Sequence, residues 1–275
     1  MLHDAVGRGG VRPQQGGWLM RLAVAGKGGV GKTSLTAWLG DYLRRLGREV
    51  WLVDADTAYS LGPALGLELD RLPTPLCEER ELILSRTGSG GVINLNPQVD
   101  DLPGRLALDA RGMKLLVMGS VAGAGGGCAC EANAVLKALL AHLFLGPYQW
   151  VLVDLEAGVE HLGRGTAAQA DGLVVVSDPS LRGLQTAARI GAMARDLGLT
   201  RQVLVVNRAQ ESFSPPDLPE LAGLPRLAAV LPQLASLGSR QLHQSSVLDL
   251  PEQDEIDRRL AAVLDALGSG GPGET

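Results

Sequence analysis

Short, uninterrupted apolar runs recur along this chain at residues 22–25, 50–53, 115–118, 150–153, 173–176, 203–206 and 227–231. Each is rich in Val and Leu and lacks the apolar/polar alternation of a half-exposed strand, which is the pattern of strands covered on both faces. Longer amphipathic stretches separate them, with helices predicted to begin near Lys32, Asn133, Gly163, Leu181 and Glu252. That alternation predicts one α/β domain, a mostly parallel sheet of seven or eight strands with helices on both faces, and ligands bound at the carboxyl ends of the strands. No repeat and no internal linker divides the chain, so the domain is expected over 20–268. Residues 1–19 are glycine-rich, lack the apolar core of a secretory signal and read as a flexible leader. Met20, directly before the first strand, is a candidate start, and 269–275 read as a disordered tail.

Composition narrows the partners. Of 275 residues, 45% are hydrophobic and 20% charged, as in a globular protein. No stretch approaches the eighteen or so apolar residues of a membrane span, and the charge-dense stretch from Glu252 carries too many acids for a basic membrane anchor. A net charge of -5 without a dense run of Lys and Arg argues against a general nucleic-acid surface. Three cysteines in a chain of this size make no disulfide framework, so a reducing cytoplasm is the expected compartment.

The run Gly26-Lys27-Gly28-Gly29-Val30-Gly31-Lys32-Thr33-Ser34 follows the first strand and satisfies G-x-x-x-x-G-K-[ST]. Glycines there let successive backbone N–H groups converge on phosphate oxygens at a helix N-terminus. Lys32 is placed to reach the terminal phosphates and Thr33 a magnesium ion. Lys27 is a second lysine that an ordinary phosphate loop does not need. At the end of the second run, Asp54 and Asp56 in Val53-Asp54-Ala55-Asp56 point the same way in an extended segment. One of the pair bears on the magnesium sphere, and Asp56 is placed to orient or deprotonate the attacking water. In Asp154-Leu155-Glu156-Ala157-Gly158, Asp154 is the candidate for holding magnesium through water. Gly158 is the candidate for a switch that bends to a terminal phosphate and releases on hydrolysis. Asn207, followed by Arg208, ends a further strand where an amide can read an adenine edge.

Cys128 and Cys130 form a C-x-C pair after three glycines. Two thiols supply half of a closed tetrahedral site, and two chains meeting on a twofold axis supply the rest. Thiolates of this kind suit zinc or nickel. His161 is assigned to the switch segment rather than to the metal, and Cys77 stands alone.

These residues carry a resemblance. The GKGGVGKTS loop with its early lysine, the DAD pair and the DxxAG segment resemble the deviant phosphate-loop ATPases, which include nitrogenase iron protein, septum-site and partition ATPases, and metal-centre maturation ATPases. Within them, LLVMGSVAGAGGGCACEANAVLKALL and WVLVDLEAGVEHLGRGT resemble the carbon monoxide dehydrogenase accessory ATPases, which insert nickel. The resemblance implies an ATP- and Mg2+-dependent homodimer in which Lys27 crosses to the partner's nucleotide. It also implies that Cys128 and Cys130 bind Ni2+ or Zn2+ at the interface, and that carbon monoxide dehydrogenase is the client. Two alternatives stay open: an electron donor with a [4Fe–4S] cluster between subunits, and a positioning ATPase of the septum or partition type.

Overall fold

All seven apolar runs form strands, because each is covered by helices on both sides of one sheet. The computed structural model describes residues 20–88, 93–120, 129–146, 150–156, 158–159 and 169–268. Its strands are β1 (Met20–Gly26), β2 (Val50–Ala55), β3 (Leu108–Ala110), β4 (Met113–Val117), β5 (Trp150–Leu155), β6 (Gly172–Ser177), β7 (Gln202–Asn207) and β8 (Arg226–Leu231). They lie in the order β3-β4-β2-β5-β1-β6-β7-β8, parallel throughout except for the antiparallel pair β3 and β4. The eighth strand, β3, has no apolar run. Three residues with Asp109 in the middle form it by pairing to β4 at the sheet edge.

Strand periodicity sends alternate residues to opposite faces. Ala23 and Ala25 enter one core cluster, while Leu22 and Val24 enter the other. The first face is covered by α5 (Ala129–Leu145) and α6 (Leu181–Asp196), through Val135, Leu139, Leu143, Leu184 and Ile190. The second is covered by α1 (Lys32–Arg45) and α8 (Gln253–Gly268), through Leu35, Trp38, Leu39, Ile256 and Leu260. Shorter helices α2 (Leu61–Ala64), α3 (Arg80–Thr87), α4 (Leu102–Leu106) and α7 (Ala235–Arg240), too brief to show a helical period, complete the set.

One helix start differs from expectation. The helix expected from Asn133 begins four residues earlier, because Ala129, Glu131 and Ala132 are good helix formers and Glu131 suits a first turn. Cys130 therefore rides on the helix, not ahead of it. The last helix begins at Gln253, one residue after Glu252. The helix expected near Gly163 falls outside the described residues, as do the leader, the tail, His161 and Cys128.

Candidate functional site

The carboxyl ends of β1, β2, β5 and β7 bring the predicted nucleotide residues to one rim. β1 lies between β5 and β6, strands that come much later in the chain, so the loop after it opens at the sheet's crossover point. Two of its glycines are required by close approach. A Cβ on Gly26 would lie 2.2 Å from the Val176 carbonyl oxygen, and one on Gly31, at φ 102°, would lie 2.4 Å from Asn207 Nδ2. Gly28 and Gly29 are exposed at the surface of the same loop. α1 then starts at Lys32 with no side-chain cap and no acid in its first turn. Its unsatisfied N–H groups and positive dipole end are free for an anion. Lys32 is buried beside them, whereas Lys27 is half-buried.

The second lysine sits near an acid of its own. Burial raises the Asp178 carboxyl, but hydrogen bonds from Ser180 and the charges of Lys27 and Arg208 outweigh it and hold the group below the usual range.

The three predicted acids have different surroundings. Asp54 and Asp154 are directly paired on neighbouring strands and both are fully buried. Asp54 Oδ1 accepts from the Asp56 N–H at 3.2 Å and Oδ2 from the Leu61 N–H at 2.9 Å. Through these two bonds its carboxylate folds the loop after β2. Burial pushes its pKa up to about 6 in spite of these bonds. Asp154 has no hydrogen-bond partner on either oxygen, and burial together with the charge of the paired Asp54, opposed by the facing Thr33 hydroxyl and the Lys32 charge, pushes it up to about 7. An orphaned buried carboxylate facing a threonine hydroxyl is a donor set that fits a hard divalent cation such as Mg2+. Asp56 reaches the cleft that Gly28, Gly29, Lys32, Thr33 and Glu156 line, and its Oδ1 accepts from the Ala58 N–H at 2.9 Å. Gly158 is buried at the end of the β5 segment.

A second cleft adjoins the first, lined by Gly31, Ser34, Asn207, Arg208, Pro232 and Gln241 among others. Asn207 is placed at it, and its amide has a backbone partner on each atom. Nδ2 donates to the Val30 carbonyl at 2.8 Å and Oδ1 accepts from the Arg208 N–H at 2.9 Å. Arg208, left-handed at φ 59°, donates from its guanidinium to the Gly29 carbonyl at 3.0 Å. Together they brace the phosphate loop from β7. Arg208 lines both clefts and so joins their two halves.

The model of the CobQ/CobB/MinD/ParA nucleotide binding domain matches residues 22–246, which take in both clefts. The chain belongs to this family. As a MinD/ParA-family protein it is a P-loop ATPase. It is 36% identical over 257 residues to the carbon monoxide dehydrogenase accessory protein CooC of Rhodospirillum rubrum, an overlap of 90% of this chain and 98% of the relative. In fold it is similar to a chain of the MinC:MinD cell division protein complex of Aquifex aeolicus, at TM-score 0.63 and 20% identity over 93% of this chain and 98% of that one. It is likewise similar to the septum site-determining protein MinD complexed with Mg-ADP from Pyrococcus horikoshii, at TM-score 0.61 and 18% identity over 91% and 98%.

Other features of this MinD/ParA-family ATPase were not legible in its motifs. Glu156 lines the phosphate cleft, accepts from the Thr57 hydroxyl at 3.1 Å and keeps Oε2 buried without a partner. Pro232 and Gln241 come from loops and a short helix after β8 that carry no motif at all. Cys130 is exposed on the first turn of α5, and no group of three or more metal-ligating side chains occurs among the described residues. No described helix is long and apolar enough to cross a membrane.

Proposed function

We propose that this ATPase is a maturation factor for a carbon monoxide dehydrogenase. It acts in the cytoplasm as a nucleotide-linked homodimer that holds one nickel or zinc ion between two Cys128/Cys130 pairs, and it serves nickel insertion into that client. Neither nucleic acid nor membrane is a partner. The observation that carries this reading is the near full-length likeness to a protein named as a carbon monoxide dehydrogenase accessory factor, in a chain that also bears a C-x-C pair.

In this reading the backbone N–H groups of residues 28–31 and the start of α1, with Ser34, cradle the phosphates of ATP, and Lys32 neutralises the terminal ones. Thr33 and Asp154 would hold Mg2+, which supplies charge neutralisation on the phosphate oxygens when bound. Asp56, its carboxylate aimed by the Ala58 N–H, orients water and takes its proton. The water oxygen bonds to the γ-phosphorus as the bond to the bridging oxygen breaks, leaving ADP and inorganic phosphate. Asp54 shapes the loop that carries Asp56. Asn207 and Arg208 keep the phosphate loop formed beside the base cleft. Lys27 reaches the nucleotide of a facing subunit, and Gly158 reports the terminal phosphate. For nucleotide to drive metal transfer, the ATP and ADP states must differ in metal affinity.

Metal analysis with sizing chromatography, on ATP- and ADP-bound wild type and on the double variant Cys128→Ala/Cys130→Ala, tests this directly. The expected result is one nickel or zinc ion per two chains, eluting with the dimer and lost in the double variant. One metal per chain that survives the double substitution would sink the shared site. A brown, iron-absorbing protein after anaerobic purification would replace it with a [4Fe–4S] electron donor.

A further inference from the structure

The loop that carries Asp56 is tied to a part of the molecule that ATP hydrolysis alone does not require. Asp56, Thr57, Ala58 and Tyr59 form a turn closed by the Tyr59 N–H on the Asp56 carbonyl at 3.4 Å and by the Ala58 N–H on Asp56 Oδ1. Tyr59 sits at φ 49°, left-handed backbone that a bulky residue rarely adopts and that is strained unless its surroundings hold it. Two side chains hold it there. Its hydroxyl donates to Glu78 Oε1 at 2.7 Å and lies 3.9 Å from Cys77 Sγ. Burial and the Glu78 carboxylate both push the phenol up from its ordinary value, so it is a donor across the working range.

The ring also meets the segment just after β4. A Cβ on Gly119, at φ 71°, would lie 2.6 Å from Cys77 Sγ and 3.0 Å from Tyr59 Cε1, so ring and thiol fill the space this glycine leaves. Backbone bonds close the circuit. The Cys77 N–H donates to the Met118 carbonyl at 3.0 Å, and the Met118 and Gly119 N–H groups donate to the Asp54 carbonyl at 2.9 and 3.0 Å. Gly119 and Ser120 are the first residues of the stretch that runs along the chain to Cys128 and Cys130.

We infer that Tyr59 is a positioning residue whose bond to Glu78 both aims Asp56 and couples the Asp56 turn to the root of the cysteine-bearing stretch at Gly119. The inference rests on the reading of Asp56 and of the cysteine pair proposed above. When the phosphate leaves and the Asp56 turn relaxes, Tyr59 has a lower-energy backbone to move to. The ring then leaves Gly119.

The test uses the full-length protein with Tyr59→Phe, which keeps the ring, Glu78→Ala, which alters only an exposed side chain, and the double variant. Steady-state ATP hydrolysis is measured alongside Zn2+ affinity in ATP and in ADP, by competition with a chromophoric chelator. Each single variant is expected to lower kcat about tenfold with KM for ATP within about twofold, the sign of a group acting after binding. Each should also bring the Zn2+ affinities in ATP and ADP to within about twofold of one another, and the double variant should be no worse than either single one. Wild-type kcat in both single variants, or effects that multiply in the double variant, would overturn the inference. Should wild-type Zn2+ affinity ignore nucleotide, the proposed metal role fails, while the kcat split and the variant cycle still judge Tyr59 as a positioning residue.

Discussion

At the scale of single residues, the chemistry concentrates in Asp154, a carboxylate buried with no hydrogen-bond partner beside a phosphate loop. Burial pushes it up to about 7 from a reference of 3.8. The folded chain therefore binds this proton more tightly than the unfolded chain does, and stability falls as pH rises from about 4 through about 7. Above that range the nucleotide-free protein carries an unpaired buried charge, at a cost on the order of 2–4 kcal/mol. Asp154→Asn removes the charge without changing the shape. The nucleotide-free variant is expected to be more stable than wild type by about that amount at pH 8 and nearly equal to it at about pH 3, below both pKa values, in urea melts at both values. It should also lose ATP hydrolysis by about a hundredfold or more, since the oxygen that would face magnesium becomes a poorer ligand. Equal stabilisation at both pH values would show that burial of charge is not the cause.

At the scale of elements, the phosphate loop is held from outside its own sequence. Asn207 at the end of β7 donates to the Val30 carbonyl and Arg208 to the Gly29 carbonyl, so two carbonyls that point away from phosphate have partners. Asn207→Ala leaves the Val30 carbonyl without its donor and should raise the KM for ATP about tenfold, the worth of roughly one to two hydrogen bonds. The role in bracing predicts the same factor for GTP binding, whereas a base-reading amide would lose selectivity for adenine. Competition of the two nucleotides on wild type and variant decides between them. The strands and the phosphate loop were legible in the sequence because continuous apolar runs and closely spaced glycines are local signals. β3 was not, because pairing to β4 and not its own residues makes it a strand. The early start of α5 was hidden by glycine just ahead of Cys128, which drew the expected boundary to Asn133. Tyr59 and Glu156 were invisible for a different reason. Their partners are 19 and 99 residues away, and only the closed sheet brings them together.

At the scale of the whole molecule, the site as it stands in one chain explains Lys32 but leaves Lys27 without a phosphate role. Lys32 is buried under the uncapped start of α1, while Lys27 is half-buried further out on the loop, near Asp178. If Lys27 completes the nucleotide site of a facing subunit, the two lysines of one site come from two chains, and defects in them must complement. A Lys27→Ala subunit keeps its own Lys32 but cannot assist its partner. A Lys32→Ala subunit cannot hold its own terminal phosphate but still offers Lys27. Mixed together, they form heterodimers with one intact site, that of the Lys27→Ala subunit. Random pairing makes about half the dimers mixed, each with one working site of two, so the mixture should recover about a quarter of the wild-type ATPase rate although neither variant alone is active. A lysine acting within its own chain gives no intact site in any pairing, and a mixture as inactive as its components would place Lys27 there.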